Sequence, residues 1–231
     1  MKMNKQLRVV VAMTDEGIVG REVLEQFGAR GITVVAVIVE KSERAEREKS
    51  YLKNDFYAPP SFTELMARFP TEVVLVSNLN SEESGNAITR LAPDLVLLDG
   101  SVIVKERIFS LAKLGALNAH PGLLPEYRGV DSVRWSIYHG DPVGATCHFV
   151  DSGIDTGPIV LREVVLYALG ESLLTIRVRV MRICARLLVD AVVGLSDGTL
   201  RGVSQPQEGK YFSWAPKEVQ EAVEKKLQKS S

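Results

Sequence analysis

An asparagine amide, an imidazole and a carboxylate occur in this sequence in a pattern that could move an acyl group onto an amine. Segment 117–129 reads LNAHPGLLPEYRG: an apolar run ends in Asn118-Ala119-His120 and breaks at Pro121-Gly122. Further on, segment 151–158 reads DSGIDTGP, with Asp151 and Asp155 set among glycines. Alternate residues of an extended chain point to one side, so Asn118 and His120 share a face. The Pro-Gly break leaves both at the strand's C-terminal end, where open α/β sheets bind ligands. An Asn amide offers N–H groups to an oxyanion. A His donates when protonated and takes a proton when neutral. A carboxylate beside His120 favours its charged form and can accept, directly or through water, the proton leaving an attacking amine. The set suits transfer through a charged tetrahedral intermediate. Each piece alone has a plainer explanation: a turn Asn with a surface His, and aspartates that satisfy a turn. Their occurrence together favours the chemical reading.

Other candidates read differently. His148 lies in an apolar strand pattern, either as a buried structural residue or as a contact to the acidic loop. His139, ahead of Gly140-Asp141-Pro142, reads as exposed at a helix end. The histidines lack clustered Cys or carboxylate partners, so no metal site is expected. No Ser or Cys sits in a nucleophile setting. Gly17 and Gly20 fall short of a dinucleotide or P-loop fingerprint, and close helix-on-strand packing explains them as well as an anion site does.

These residues need a scaffold. Apolar, β-branched-rich runs at 7–13, 32–39, 73–76 and 95–98 read as buried parallel strands, with helical patterns between them at 19–29, 62–69, 82–91 and 104–113. Ser61-Phe62-Thr63-Glu64 has capping-box spacing. The alternation predicts an α/β fold: an open, mostly parallel, doubly wound, Rossmann-like sheet flanked by helices. Further strands are expected at 115–120, 143–150 and 159–166, the last two joined by the acidic loop so that the sheet becomes mixed. A short helix at 131–139 has Asp131 or Ser132 near its cap. The longest helix, 172–193, carries a wide apolar stripe and ends at Gly194. Its Arg179, Arg182 and Arg186 could meet phosphates but fit a plain exposed face. The charged stretch 40–53 reads as a solvated helix and 54–60 as a loop. Residues 1–200 are expected to form the catalytic domain and 201–231 a C-terminal extension, with one aromatic cluster at 209–214 and a final helix at 217–228.

The 231 residues are 45% hydrophobic and 25% charged, which permits a full core. A net charge of -1 gives no general pull towards nucleic acid. Cys147 and Cys184 fit no metal spacing, and a reducing, cytoplasmic setting is the simplest expectation. The apolar start is too short for a signal peptide with its cleavage site and reads as the first strand. No apolar run is long enough to span a membrane.

Asn118-Ala119-His120-Pro121-Gly122-Leu123-Leu124-Pro125, Tyr127-Arg128-Gly129, His148-Phe149-Val150-Asp151 and Asp155-Thr156-Gly157-Pro158 resemble the folate-dependent formyltransferase family. That family includes enzymes acting on glycinamide ribonucleotide, methionyl-tRNA and sugar amines. The resemblance follows element order over 7–195 and is specific over 95–165. It implies a catalytic set of Asn118, His120 and Asp155, and 10-formyltetrahydrofolate as co-substrate without a metal. It places the pterin near Leu97, Leu98, Asp99, Gly100, Val102, Asp151, Gly153 and Ile154. It puts the acceptor near Pro121, Gly122, Arg128 and Gly129. The loop Thr14-Asp15-Glu16-Gly17 departs from the Gly-Asn-rich phosphate loop of the glycinamide ribonucleotide enzymes, and its acids would repel a phosphate. The chain is expected to end too soon for the C-terminal barrel that the tRNA enzymes use, and to lack the extra N-terminal regulatory domain usual in the formyltetrahydrofolate hydrolases. A small-molecule amine, such as a sugar-nucleotide amine, is therefore the expected partner, with no nucleic acid or membrane involved and a homodimer allowed. In this reading Asn118 and a protonated His120 stabilise the oxyanion while Asp155 helps remove the amine proton. Hydrolysis of formyltetrahydrofolate and a non-catalytic folate- or nucleotide-binding module are the rival readings.

Overall fold

The computed structural model describes residues 6–14, 17–41, 57, 59–100, 103–206 and 208–228. The expected charged helix beyond Lys41 and most of the 54–60 loop lie outside the described residues, as do Asp15, Glu16 and Val102.

The first half alternates strand and helix. Strand β1 (Val9–Thr14) is followed by α1 (Ile18–Ala29) and β2 (Ala36–Glu40); then come α2 (Phe62–Arg68), β3 (Glu72–Val76), α3 (Glu82–Leu91) and β4 (Leu95–Leu98). After a short α4 (Glu106–Phe109) come β5 (Ala116–His120), β6 (Arg128–Gly129), α5 (Ser132–His139), β7 (Gly144–Phe149) and β8 (Ile159–Val164). The long α6 (Leu173–Asp197), β9 (Tyr211–Phe212) and α7 (Lys217–Gln228) complete the order. Seven strands form one open sheet in the order β3-β2-β1-β4-β5-β7-β8. The first five are parallel, and β7 and β8 join antiparallel, so the sheet is mixed as expected. A separate pair joins β6 and β9 in parallel.

Strand alternation sends successive side chains to opposite faces, and both faces are buried in the central strands, whereas β3, expected to be buried, and β8 lie at the sheet edges and are partly exposed. Val9, Val11, Met13, Leu97, Leu117 and Cys147 pack on one face with Leu24 and Phe27 of α1 and with Ile176, Val180, Cys184 and Leu188 of α6. Val10, Ala12, Ile38, Val96, Leu98 and Ala116 pack on the other with Ala87, Ile88 and Leu91 of α3 and Ile108 of α4. On that second face the β5–β7 side belongs to a cleft instead: Asn118, His120 and His148 line it.

Local chemistry sets the element ends. Ser61 and Glu64 form the expected capping box at α2, and Ser172 accepts from the Thr175 amide at the start of α6. Two expectations fail at helix ends. The 104–113 helix is only one turn long, because Lys113 N and Leu114 N donate instead to the Pro93 and Asp94 carbonyls and draw the chain into β5. Helix α6 runs through Gly194 to a left-handed Gly198 cap. A Cβ at Gly194 would lie 2.4 Å from Leu200, so that glycine serves close packing rather than termination. No described helix is long and apolar enough to cross a membrane.

Candidate functional site

Register brings the site together. Asn118 stands directly opposite His148 and His120 opposite Thr146 in the antiparallel β5–β7 pair. The 151–158 loop then folds back so that Asp155 reaches both imidazoles. Its Oδ2 lies 3.4 Å from His120 Nδ1, and its Oδ1 lies 3.5 Å from His148 Nε2. The Gly129 amide donates to the same carboxylate at 2.9 Å. Asp155 holds a left-handed backbone, φ 55°, which few non-glycine residues adopt. Asp151 shapes the turn, accepting from Gly153 N and from the Thr156 hydroxyl.

Hydrogen-bond partners fix the ring orientations. His120 Nε2 faces the Tyr127 carbonyl at 2.6 Å, and a carbonyl only accepts, so that nitrogen carries the hydrogen. The Ser132 hydroxyl lies 3.0 Å from the same atom. Nδ1 is left towards Asp155. His148 Nδ1 faces the Phe149 carbonyl at 2.8 Å, which turns its Nε2 towards Asn118 Nδ2 at 3.4 Å. The Asn118 Oδ1 is buried and has no hydrogen-bond partner among the described residues.

Burial pushes the His120 pKa below its ordinary value; Asp155 and the Tyr127 carbonyl oppose the shift and His148 adds to it. Desolvation thus outweighs the nearby carboxylate and favours the neutral ring. Burial pushes Asp155 upwards, yet His120, His148 and the Gly129 amide together hold it down at about 2. The site therefore rests as a carboxylate beside a neutral imidazole.

A cleft of about 830 Å³ contains the cluster. On one side it is apolar, lined by Leu98, Val104, Phe109, Val150 and Ile154. Exposed Ile103 and Ile154 stand at its mouth, so a flat, largely apolar ring system fits there. On the other side are Arg177, Tyr211 and Trp214. Behind them the fully buried Asp131 carboxylate pairs with both Arg134 and Arg177. Asp131 precedes α5 but gives its helix no side-chain cap bond, because the arginines engage its carboxylate.

The expected site residues divide accordingly. Asn118, His120 and Asp155 come together, and Leu98, Gly100, Pro121, Gly129, Asp151, Gly153 and Ile154 line the cleft with them. Leu97 points to the opposite face and packs in the core. Asp99 turns towards β1, where it accepts from Thr14 N at 2.8 Å. A Cβ at Gly17 would lie 2.3 Å from Asp99, which supports the packing explanation for that glycine. Gly122 lies beneath His120, and a Cβ there would meet Nε2 at 2.6 Å. Arg128 is buried and donates to Gln205 and to the Pro206 carbonyl. Leu97, Asp99, Gly122 and Arg128 thus support the cleft from behind rather than line it. His148 fits both of its expected readings, being buried and also in contact with the acidic loop. The sequence reading missed Ser132, Asp131 and Arg177 as site residues. Distant pairing brings them in, and only the Arg134–Asp131 partner at helical spacing left a local trace.

Fold and cleft define an open α/β domain that carries an amide donor beside an imidazole–carboxylate pair. The chain belongs to the formyl transferase family, whose profile matches residues 7–192. It is 30% identical over 196 residues to methionyl-tRNA formyltransferase of Ruminiclostridium cellulolyticum, covering 84% of this chain and 60% of that protein. It spans between 42% and 60% of the length of three such relatives. Among solved structures, glycinamide ribonucleotide transformylase 1 of Symbiobacterium toebii aligns with a TM-score of 0.67 at 22% identity, over 86% of this chain and 95% of that one. The formyltransferase PseJ of Anoxybacillus kamchatkensis, solved with UDP-4,6-dideoxy-4-formamido-L-AltNAc and tetrahydrofolate, aligns at 0.57 and 22% identity, over 88% and 85%. At these identities the two structures establish the fold alone.

Proposed function

We propose that this chain transfers a formyl group from 10-formyltetrahydrofolate to a primary amine of a small molecule, with a sugar-nucleotide amine as the leading acceptor. The observation that carries the reading is the meeting of Asn118, His120 and Asp155 on one wall of a two-sided cleft. The apolar side suits a pterin ring, with Leu98, Gly100, Asp151, Gly153 and Ile154 around it. Bound folate supplies an activated formyl carbon.

The chain's own groups do the rest. The Asn118 amide has a hydrogen not engaged by His148, and it donates to the carbonyl oxygen as the amine attacks and the oxygen gains charge. Asp155, already ionised, steadies the positive charge on the attacking nitrogen. Neutral His120 takes the amine proton at Nδ1, directly or through one water. Protonation turns its contact with Asp155 into an ion pair, while the Tyr127 carbonyl keeps the other N–H. The same proton then passes to the departing folate nitrogen as the carbon–nitrogen bond breaks and the carbonyl re-forms. His120 ends neutral.

On the acceptor side, the Arg177 guanidinium lines the cleft and the exposed rings of Tyr211 and Trp214 offer flat surfaces. That pairing fits an amine whose carrier bears both phosphate and base. PseJ, which shares the fold, was solved with a UDP-linked formamido sugar and tetrahydrofolate, so a ligand pair of this kind is the one to try first. We assign residues 1–200 to the catalytic domain and 201–231 to an extension that helps close the acceptor side.

Formyl transfer is tested with 10-formyltetrahydrofolate and a panel of nucleotide-sugar amines, small amines and aminoacylated initiator tRNA. Asn118→Ala, His120→Ala and Asp155→Ala should each lower turnover by about 10²–10³-fold. Wild-type turnover in any one removes that residue from the mechanism. Formate release without any amine would make the protein a hydrolase. Transfer to tRNA and to no small amine would overturn the acceptor assignment, and folate binding without turnover would leave a binding module.

A further inference from the structure

We infer that Gln205, on the C-terminal extension, is a positioning residue that clamps the Asp155 turn and so sets the carboxylate against His120. The Gln205 Nε2 donates to the Asp155 carbonyl at 3.0 Å and to the Gly157 carbonyl at 2.7 Å. Its Oε1 accepts from Arg128 Nη2 at 3.1 Å. Arg128 has only donors, so the amide oxygen must face it and the NH₂ group must face the two carbonyls. The side chain is thereby held in one orientation with both amide hydrogens used. Arg128 is itself fixed: it is buried, and it also donates to the Pro206 carbonyl at 3.1 Å.

The extension delivers Gln205 to this place by backbone pairing. Val203 and Ile159 exchange two hydrogen bonds of 2.8 Å at the start of β8. On the far side Arg128 N donates to the Lys210 carbonyl and Val130 N to that of Phe212. Gln205 therefore lies between two backbone ties, one at Val203 and one at Lys210 and Phe212. Asp155 needs such support because its φ of 55° lies in the left-handed region, which an unrestrained aspartate seldom occupies. The side chain is held by the Gly129 amide and the backbone by Gln205, so the two oxygens reach His120 and His148 together. Without the clamp the turn can relax to an ordinary φ, and the carboxylate recedes from the imidazole.

This inference rests on the formyl-transfer reading for its catalytic consequence, but its geometric content can be read separately. Among the described residues, the titratable groups facing the His120 ring are Asp155 and His148. Asp155 raises the proton affinity of His120, so a receding carboxylate lowers it. The imidazole titration of His120, followed by NMR in the full chain, therefore reports the carboxylate's position whatever the reaction. In Gln205→Ala its midpoint should fall towards that of Asp155→Asn. Formyl turnover should drop on the order of 10²-fold, as for a misplaced catalytic group, with KM values little changed. Val203→Ala, which keeps the backbone pairing, should match the wild type in both. Should Gln205→Ala fail to fold, Gln205→Glu keeps an acceptor for Arg128 but loses the donors to the two carbonyls, and it should show the same loss of kcat without loss of substrate affinity. A wild-type His120 midpoint in Gln205→Ala, or wild-type turnover in Gln205→Glu, overturns the clamp. Absence of formyl transfer in the wild type, with the midpoint shift intact, removes the proposed reaction and leaves the clamp standing.

Discussion

His120 and Asp155 each bind protons less tightly in the folded chain than they ordinarily would. For both, the folded state holds fewer protons than the unfolded state between the two pKa values, so stability rises with pH across that interval. Their contribution is complete above about pH 6.5, the ordinary histidine value. It declines first as His120 is forced to charge, then through the carboxylate range down to about 2 for Asp155. Urea unfolding at pH 7 and pH 5 should show a smaller loss in His120→Gln than in the wild type. An equal loss would mean that His120 is not buried as a neutral ring. Histidine NMR gives a second check: the His120 midpoint should lie below about 6.5 in the wild type and lower still in Asp155→Asn, where the favourable charge is gone.

At the level of strands, helices and loops, glycines allow the approaches that build the cleft. Gly129 has φ 94°, and a Cβ there would sit 2.2 Å from the Phe212 carbonyl, so nothing larger fits in the β6–β9 pair. Gly129→Ala should cost about 1–3 kcal/mol in denaturant unfolding. It should also weaken turnover, because the amide that holds Asp155 belongs to the displaced residue. Unchanged stability would show that β6 and β9 are not pressed together. The sheet strands were legible because buried parallel strands are continuous β-branched runs, and α7 because its charge and apolar positions keep helical period. The end of α6 was misread because Gly194 carries a C-cap's composition, whereas its role comes from Leu200. Helix α4 was overextended because competing acceptors on Pro93 and Asp94 leave no periodic signature. Asn118, His120 and an acidic loop holding Asp151 and Asp155 were readable from residue type and spacing, and the family resemblance singled out Asp155. The contributions of Ser132, Arg177 and Gln205 were not, since each depends on a contact made by a remote segment.

The whole molecule is closed by its C-terminal part. Tyr127 stacks on Phe212 with ring centroids 5.1 Å apart, and Trp135 Nε1 donates to the Ser213 carbonyl at 2.8 Å. Helix α7 follows, burying Val219, Val223 and Leu227, with Lys226 Nζ donating to the Ile137 carbonyl at the end of α5. Leu227 is almost fully covered, so Leu227→Ala should lower unfolding stability by about 2–5 kcal/mol. Its effect on KM should be small, since α7 does not line the cleft. A loss well under about 1 kcal/mol would show that α7 is not part of the cooperative core.

The β6–β9 pairing joins the middle of the chain to a stretch near its end. Such distant closure is slow compared with forming neighbouring strand–helix units. During refolding, helical signal should therefore recover before competence to turn over substrate. On the ribosome the nascent enzyme should stay silent until the segment beyond Phe212 has emerged and found its seat.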